Sequence, residues 1–175
     1  MATATNKTVG VLALQGDYEA HQHQLTSMGV PTLLVRLPGD LERVDCLIIP
    51  GGESTTMDIL LDRFALRGPV TEFGRTHPVY GTCAGMIMLS SRIDDNLSGV
   101  KPLGLMDIHV LRNGYGRQVY SFENHVEAVL KGTPKILVAT FIRAPKVTHR
   151  GADVEVLATY RGDPVLLRQN NLLAG

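Results

Sequence analysis

The sequence predicts an α/β domain with an open, mainly parallel sheet, helices on both faces, and antiparallel strands added in the C-terminal half. The first half alternates short apolar runs with segments that can form helices, which is typical of a doubly wound parallel sheet. The second half contains short strand-like segments separated by Gly, Pro, Asn and Asp. A third observation is the run Val79–Leu89, where an apolar strand ends in Gly-Thr-Cys-Ala-Gly and an apolar, helix-capable segment follows directly.

Composition limits the possible functions. The length of 175 residues predicts one domain, residues 1–175, with enough apolar material for a core. Lys plus Arg and Asp plus Glu are both 17, so the charge balance indicates neither nucleic acid nor a membrane surface as a partner. The polar N-terminus lacks the apolar core of a signal peptide, and the two cysteines fit a reducing compartment, so we expect a cytoplasmic protein.

The elements of the first half follow from apolar runs and helix signals. Val9–Leu14 is apolar throughout, as in a strand covered on both faces. Asp17 can cap the helix that follows, and Gly29 can end it. In order, we predict a strand at Val9–Leu14, a helix from Asp17 to Met28, a strand at Thr32–Val35, a helical turn at Leu41–Val44, a strand at Cys46–Ile49, a helix capped by Ser54 or Thr55 and ending near Phe64, a helix at Pro69–Arg75, and the strand and helix around Cys83.

The strands of the second half are predicted as antiparallel additions and hairpins on the same sheet. Turn residues separate each segment from the next, and no helical periodicity lies between them. The predicted strands are Asp107–Arg112, Gln118–Phe122, Ile136–Arg143, Val154–Tyr160 and Val165–Arg168.

Cys83 is the strongest candidate for a catalytic residue. Gly81 and Gly85 stand two positions before and after it, and they remove Cβ atoms that would clash in a tight strand-to-helix turn. A thiol at the start of a helix is favoured as thiolate by the helix dipole. The alternative is a small buried cysteine in an ordinary joint between strand and helix. The paired glycines favour a reactive nucleophile.

A second candidate is the segment Pro50–Ser54, Pro-Gly-Gly-Glu-Ser, at the end of the third strand. Ligands of open α/β sheets lie beyond the carboxyl ends of the strands. Paired glycines allow main-chain N–H groups to approach such a ligand, and one of them can stabilise an oxyanion. The alternative is a plain turn in which the serine caps a helix.

Two arginine-containing segments are further candidates. Arg112–Gln118 places two arginines around a glycine turn, which suits bidentate binding of a carboxylate, although a solvated hairpin explains it equally well. Phe141–Pro145 ends an apolar strand in Ile-Arg-Ala-Pro, and an arginine that reaches solvent is the simpler interpretation from the residues alone.

No histidine has the immediate setting of a catalytic base. A cysteine nucleophile usually needs a histidine, held by a carboxylate, to move protons. His109 falls within a predicted strand, His125 lies near two glutamates, and His149 falls in a predicted polar loop; the others are His21, His23 and His77. Their spacing does not match a metal site. We therefore predict no metal site. We also expect no cofactor.

Taken together, the motifs resemble the class I, triad-type glutamine amidotransferases, and within them the glutaminase subunits of pyridoxal 5′-phosphate synthase. The order of the matching segments is that of the family, and they span nearly the whole chain. They are Val11–Asp17, Pro50–Thr56, Gly81–Ile87, Arg112-Asn113 with Gly116–Gln118, Ser121–Glu123 and Phe141–Pro145. The resemblance implies a flavodoxin-like arrangement of the parallel strands.

The resemblance also implies an activity and its residues. L-Glutamine would be hydrolysed to L-glutamate and ammonia, and Cys83 would form a glutamyl thioester. The main-chain N–H groups of Gly52 and Ala84 would form the oxyanion hole. The residues implied to hold glutamine are Gly51, Gly52, Glu53, Arg112, Ile142 and Arg143. The ammonia would pass to a synthase subunit in a heteromeric complex, and that partner would switch on a glutaminase that is poorly active alone.

One departure from the family pattern bears on activity. The family carries its catalytic His and Glu in a His-Pro-Glu motif after a final strand, followed by a last helix, and no His-Pro-Glu occurs in these 175 residues. Three explanations stay open: a C-terminal continuation, a shorter subunit that binds glutamine without turnover, or a rearranged histidine such as His125 or His149. A glutaminase that serves another ammonia acceptor is a further alternative.

Overall fold

The computed structural model describes residues 7–97, 99–115, 122–142 and 144–175. Arg143, one of the predicted glutamine-binding residues, therefore lies outside the described residues, as do Arg117 and most of the predicted strand Gln118–Phe122. None of the described helices is long and apolar enough to cross a membrane.

The first half of the chain alternates strands and helices, as predicted. Its strands are β1 (Val9–Leu12), β2 (Thr32–Val35), β3 (Cys46–Ile49) and β4 (Val79–Gly81). Its helices are α1 (Tyr18–Ser27), a 3₁₀ helix (Pro38–Arg43), α2 (Ser54–Arg63), α3 (Arg67–Thr76) and α4 (Ala84–Leu89).

The second half consists of strands in the described residues. They are β5 (Ser90–Ile93), β6 (Met106–Leu111), β7 (Phe122–Leu130), β8 (Thr133–Phe141), β9 (Lys146–Arg150), β10 (Glu155–Tyr160), β11 (Asp163–Gln169) and β12 (Leu172–Ala174).

The main sheet has nine strands in the order β2-β1-β3-β4-β12-β11-β10-β7-β8. The first five in this order run parallel, and the remaining contacts are antiparallel. A second sheet of three strands has the order β5-β6-β9. The predicted fold class is therefore confirmed: a mainly parallel α/β sheet with antiparallel strands added from the second half.

Strand β12 has the greatest consequence for the site. It inserts parallel to β4, with Ala174 opposite Gly81, and so returns the chain to the carboxyl edge of the parallel strands. Gly175 then donates from its N–H to the carbonyl of Gly81 at 3.0 Å, and its own carbonyl accepts from the N–H of Cys83 at 2.8 Å. The strand-to-helix turn is thus held by a residue more than ninety positions away in the chain.

Several predicted caps and turns need correction. Helix α2 is capped by Glu53 and not by Ser54 or Thr55, because the Glu53 carboxylate accepts from the Thr56 N–H at 2.8 Å. Asp17 occupies the N-cap position of α1, but its side chain makes no capping hydrogen bond. The predicted turn at Leu41–Val44 begins earlier, in the 3₁₀ helix, where the Asp40 carboxylate accepts two main-chain hydrogen bonds at 2.9 Å.

Strands were correctly predicted near β6, β8, β10 and β11, but β6 pairs within the separate three-stranded sheet and not on the main sheet as predicted. The prediction was wrong around β7 and β9. Strand β7 begins at Phe122, where a strand was predicted to end, and His149 lies in β9 opposite His109 instead of in a loop. The polar residues of both strands explain the error. Glu123 and His125 of β7 point to the exposed face, so the sequence lacks the apolar run by which the other strands were found.

Apolar side chains pack in two clusters on the described part of the chain. The larger one joins the parallel strands to the helices and includes Leu47, Ile49 and Met88, each at most 1% exposed. Burying such a side chain stabilises the fold by about 1.5–3 kcal/mol. The smaller cluster, around Val126 and Leu166, lies beneath the β7–β8 hairpin. The hairpin is therefore fixed on one face only.

Candidate active site

Cys83 stands on a strained turn between β4 and α4. Its φ of 49° and ψ of −105° lie in a region that L residues rarely adopt, at a cost of about 1–3 kcal/mol. Hydrogen bonds on both sides hold this conformation. The Thr82 N–H donates to the Ile49 carbonyl at 3.0 Å, and the Gly85 N–H donates to the Thr82 carbonyl at 2.8 Å. The turn therefore places the thiol at the carboxyl edge of the sheet.

The two glycines beside this turn have the steric role predicted for them. A Cβ on Gly85 would lie 2.1 Å from the carbonyl oxygen of Ile49, on the neighbouring strand β3. A Cβ on Gly81 would lie 2.5 Å from the carbonyl oxygen of Gly85. Both separations are far below van der Waals contact, so only glycine allows α4 to begin so close to β3.

The glycine loop lies directly beside the thiol. A Cβ built on Gly51 would be 3.4 Å from the Cβ of Cys83. Gly52 has a φ of +146°, and a Cβ there would be 2.4 Å from the Gln15 side-chain oxygen. Steric contact and backbone conformation thus both require glycine at position 52. The loop can bring main-chain N–H groups close to whatever Cys83 contacts.

A segment after β1 supports this loop, although the sequence predicted no role in the site for Gln15 or Asp17. The Glu53 N–H donates to the Gln15 Oε1 at 2.9 Å, and the Asp17 N–H donates to the Gly51 carbonyl at 3.2 Å. The Gln15 Nε2 is buried without a hydrogen-bond acceptor among the described residues. Their position at the carboxyl end of a parallel strand was the signal that could have identified Gln15 and Asp17.

Glu53 and Arg112 form an ion pair at the edge of the site. The Arg112 Nη2 lies 3.0 Å from the Glu53 Oε1 and 3.1 Å from the Thr55 Oγ1. Burial raises the pKa of Glu53, but hydrogen bonds from Thr56 and Thr55 outweigh it, so the pKa lies below the ordinary value. The Glu53 carboxylate is therefore ionised at neutral pH, where it caps α2 and fixes the Arg112 guanidinium.

These elements surround a cavity of about 560 Å³. It contains six of the residues predicted for the site, and Thr140 and Ala144 also border it although no role was predicted for them. The predicted residues in its lining are Cys83, Gly51, Gly52, Glu53, Arg112 and Ile142. Ala84 is fully buried just behind Cys83 and does not border the cavity.

All six histidines are among the described residues, and none of them lines this cavity. His125 is exposed on β7, opposite Val138. His149 contacts His109 across the smaller sheet, with ring centroids 4.7 Å apart. Within the described ranges, His, Cys, Asp and Glu also do not gather in a group of three or more that could hold a metal ion.

Comparison with known proteins agrees with this architecture. A solved structure described as a glutamine amidotransferase superposes with a TM-score of 0.86 at 40% identity, covering 95% of this chain and 87% of that one. A structure of PurLQS from Thermotoga maritima shares the fold, with a TM-score of 0.71 at 14% identity, covering 97% of this chain and 85% of that one. The fold and the cysteine turn define a class I glutamine amidotransferase. The profile of the SNO glutamine amidotransferase family matches residues 11–175, and the chain belongs to this family.

Individual proteins similar to this chain carry a more specific name. The pyridoxal 5′-phosphate synthase subunit PdxT of Mycobacteroides abscessus is 51% identical over 167 residues, which cover 95% of this chain and 86% of that protein. The subunit of the same name from Thermotoga petrophila is 49% identical over 167 residues, covering 95% and 87%. These relatives are named as subunits of a synthase.

Proposed function

We propose that this chain is the glutaminase subunit of a pyridoxal 5′-phosphate synthase. It hydrolyses L-glutamine to L-glutamate and ammonia in the cytoplasm and passes the ammonia to a synthase subunit. The observation that carries the proposal is the position of Cys83, on a strained strand-to-helix turn that faces the glycine loop across a cavity. Membership of the amidotransferase family and the names of the relatives support the substrate and the partner.

In the proposed reaction the Cys83 thiolate attacks the carboxamide carbon of glutamine. The carbon–nitrogen bond then breaks, ammonia leaves with an added proton, and a glutamyl thioester remains on the sulfur. Water attacks the thioester, releases glutamate and restores the thiol. Proton transfer in this chemistry normally uses a histidine. Since no histidine borders the cavity, we assign that role to no residue of residues 1–175.

The negative charge that develops on the carboxamide oxygen would be stabilised by main-chain donors. Ala84 is the first residue of α4, and its N–H is one of the first-turn groups that lack an acceptor within the helix. The Gly52 N–H belongs to the loop that adjoins the thiol. We assign the oxyanion hole to these two groups. In related acyl-transfer chemistry, loss of one such donor lowers kcat by about 10²–10³-fold.

The α-carboxylate of glutamine would lie at the Arg112 side of the cavity. A guanidinium binds a carboxylate in bidentate fashion, and Glu53 holds that of Arg112 in place. The glycine loop and Ile142 complete the wall that would contact the substrate. By family resemblance Arg143 joins them. Glu53 would thus contribute to glutamine binding in two ways: its carboxylate positions Arg112, and its main chain belongs to the loop.

The direct test is ammonia release from L-glutamine by the purified chain, with and without the synthase subunit from the same organism. We expect glutamate and ammonia in equal amounts and at least a tenfold stimulation by that subunit. A synthase subunit from another amidotransferase serves as the control and should not stimulate. Stimulation by the control subunit, or no ammonia with either subunit, would contradict the proposal.

A second candidate, left open by the sequence, is a subunit that binds glutamine without turnover. The same assay separates the two functions when it is followed over time. A glutaminase releases many equivalents of ammonia per chain at a steady rate. A chain without proton transfer releases at most one equivalent, and intact-mass measurement then finds the glutamyl adduct on the protein.

Gln15 provides a test of how the glycine loop is positioned. We expect Gln15→Leu to lower kcat by about 10²-fold with little change in KM, because the Glu53 N–H loses its acceptor and the oxyanion donor shifts. Steady-state kinetics of the complex measures both constants. Gln24→Leu, at an exposed position of α1, is the matched control and should behave as the wild type. An unchanged kcat in Gln15→Leu would show that this contact does not position the loop.

A further inference from the structure

The β7–β8 hairpin presents one face to solvent. In strands, alternate residues point to the same side, and directly paired residues share it. One side of this hairpin is occupied by the smaller apolar cluster, where Val126 and Ala128 are buried. We call the opposite side the outer hairpin face. It comprises Glu123, His125, Glu127 and Val129 of β7 with Pro134, Ile136, Val138 and Thr140 of β8.

Branched aliphatic side chains are concentrated on this face. Ile136 is 70% exposed, Val138 is 63% exposed and Val129 is 49% exposed. Single exposed apolar residues are common on protein surfaces and need no explanation. Three exposed aliphatic side chains on one face of a short hairpin are more than such scattered residues, because the opposite face of the hairpin already packs against the core. They form an apolar stripe of the kind that marks an interaction surface.

The stripe leads directly to the active-site cavity. Thr140 lies on the outer hairpin face and also lines the cavity. Ile142, just beyond the end of β8, lines the cavity as well. Two residues along a strand advance by about 6.5–7 Å. Val138 and Ile136 therefore extend the apolar surface by about 13 Å from the cavity edge. A protein bound to this stripe would also cover the side of the cavity that Thr140 and Ile142 form.

The charges of the face indicate which kind of partner fits. Glu123 lies opposite Thr140 and Glu127 lies opposite Ile136, so two carboxylates flank the stripe. Pairing of this face with a second copy of itself would bring these carboxylates together, which is unfavourable. An apolar segment flanked by Lys or Arg would cover the stripe and pair with both glutamates.

We infer that the outer hairpin face is where the synthase subunit docks, through an apolar segment flanked by basic residues. The inference rests on the proposed function, because a product as small as ammonia reaches an acceptor without loss to water only if the acceptor covers the cavity. The position of the stripe at the cavity edge meets this requirement. Docking there would also allow the partner to act on Thr140 and Ile142, and so on the site itself.

The test is the affinity of the full chain for the synthase subunit from the same organism, measured by isothermal titration calorimetry. We expect Val138→Glu to raise Kd at least tenfold and to remove stimulation of ammonia release at protein concentrations that saturate the wild type. Met28→Glu, at a 68% exposed methionine that follows α1, is the matched control and should leave Kd unchanged. Both variants should keep the wild-type circular dichroism spectrum.

A charge variant tests the chemistry of the partner. Glu127→Lys should also raise Kd, and the difference from the wild type should shrink as salt concentration rises, because screening weakens charge pairs between partners. Tighter binding by Glu127→Lys would overturn the assignment of basic residues to the partner segment.

The outcomes also separate this inference from the proposed function. If the wild-type chain binds the synthase subunit and Val138→Glu binds equally well, the docking surface is wrong and the proposed function stands. If the wild-type chain neither binds nor is stimulated, the proposed function itself fails. Sedimentation of the chain alone is the last check. A dimer that Val138→Glu dissociates would assign the face to a second copy and overturn the inference.

Discussion

Replacement of Cys83 by alanine is expected to abolish glutamine hydrolysis and covalent labelling by an electrophilic glutamine analogue such as its diazoketone. Loss of a nucleophile in hydrolases of this kind lowers kcat by about 10⁴–10⁶-fold. Alanine keeps the Cβ of Cys83 and removes only the sulfur, so the strained turn and its hydrogen bonds to Ile49 and Gly175 can stay in place. The measurement is ammonia release in the complex, together with the intact mass of the labelled chain.

Cys46 is the matched control for this experiment. It lies in β3, where burial and the neighbouring Asp45 raise the pKa of its thiol, so it is a poor source of thiolate at neutral pH. Cys46→Ala should therefore keep both the activity and the mass shift from the label. Label found on Cys46, or labelling that survives in Cys83→Ala, would contradict the assignment of the nucleophile.

The parts of the site that could be predicted from the sequence are those fixed by local geometry. A cysteine with glycines two positions before and after it, at the end of an apolar run, predicts the tight turn, because the motif is read from residues that are neighbours in the chain. The parallel strands could be predicted equally well. Buried on both faces, they read as continuous apolar runs, and Thr32–Val35 and Cys46–Ile49 were predicted with the bounds that the structure shows.

The parts that could not be predicted depend on contacts between distant segments. The hydrogen bond between Gln15 and the Glu53 N–H joins residues 38 positions apart. The ion pair between Glu53 and Arg112 spans 59 positions. No propensity or spacing along the chain fixes which side chains meet in this way. The same holds for β12, whose place beside β4 is set by the sheet and not by its own residues.

The β7–β8 hairpin was misjudged for a related reason. In β7 the alternation of apolar and polar residues is interrupted, because Asn124 stands at an inward position and Val129 at an outward one, so the pattern that identifies a half-buried strand is weak. If the outer hairpin face binds a partner, its residues must both form a strand and fit the partner. The apolar and polar pattern expected for a strand that faces water would then predict β7 poorly.

The second large effect is expected for Gly85→Ala. The added Cβ would lie 2.1 Å from the carbonyl oxygen of Ile49, and neither the turn nor β3 can move without loss of hydrogen bonds such as that from Thr82 to Ile49. Overpacking at a rigid site costs about 1–3 kcal/mol and occasionally more. Because the clash is with the main chain of β3, which cannot rotate away as a side chain can, we expect the free energy of unfolding to fall by about 3 kcal/mol. We also expect activity to be lost as the thiol is displaced.

Gly68→Ala is the matched control. It makes the same chemical change at a position where the structure predicts a rise, and not a fall, in the free energy of unfolding. Gly68 lies exposed in α3, and no atom lies within 4 Å of the Cβ that would be added. Alanine also restricts the unfolded chain, so the free energy of unfolding should rise by about 0.4–1 kcal/mol. Urea denaturation of both variants measures the two changes. Equal effects at the two positions would mean that α4 is not packed against β3 as described, and the steric origin of the cysteine turn would then have to be abandoned.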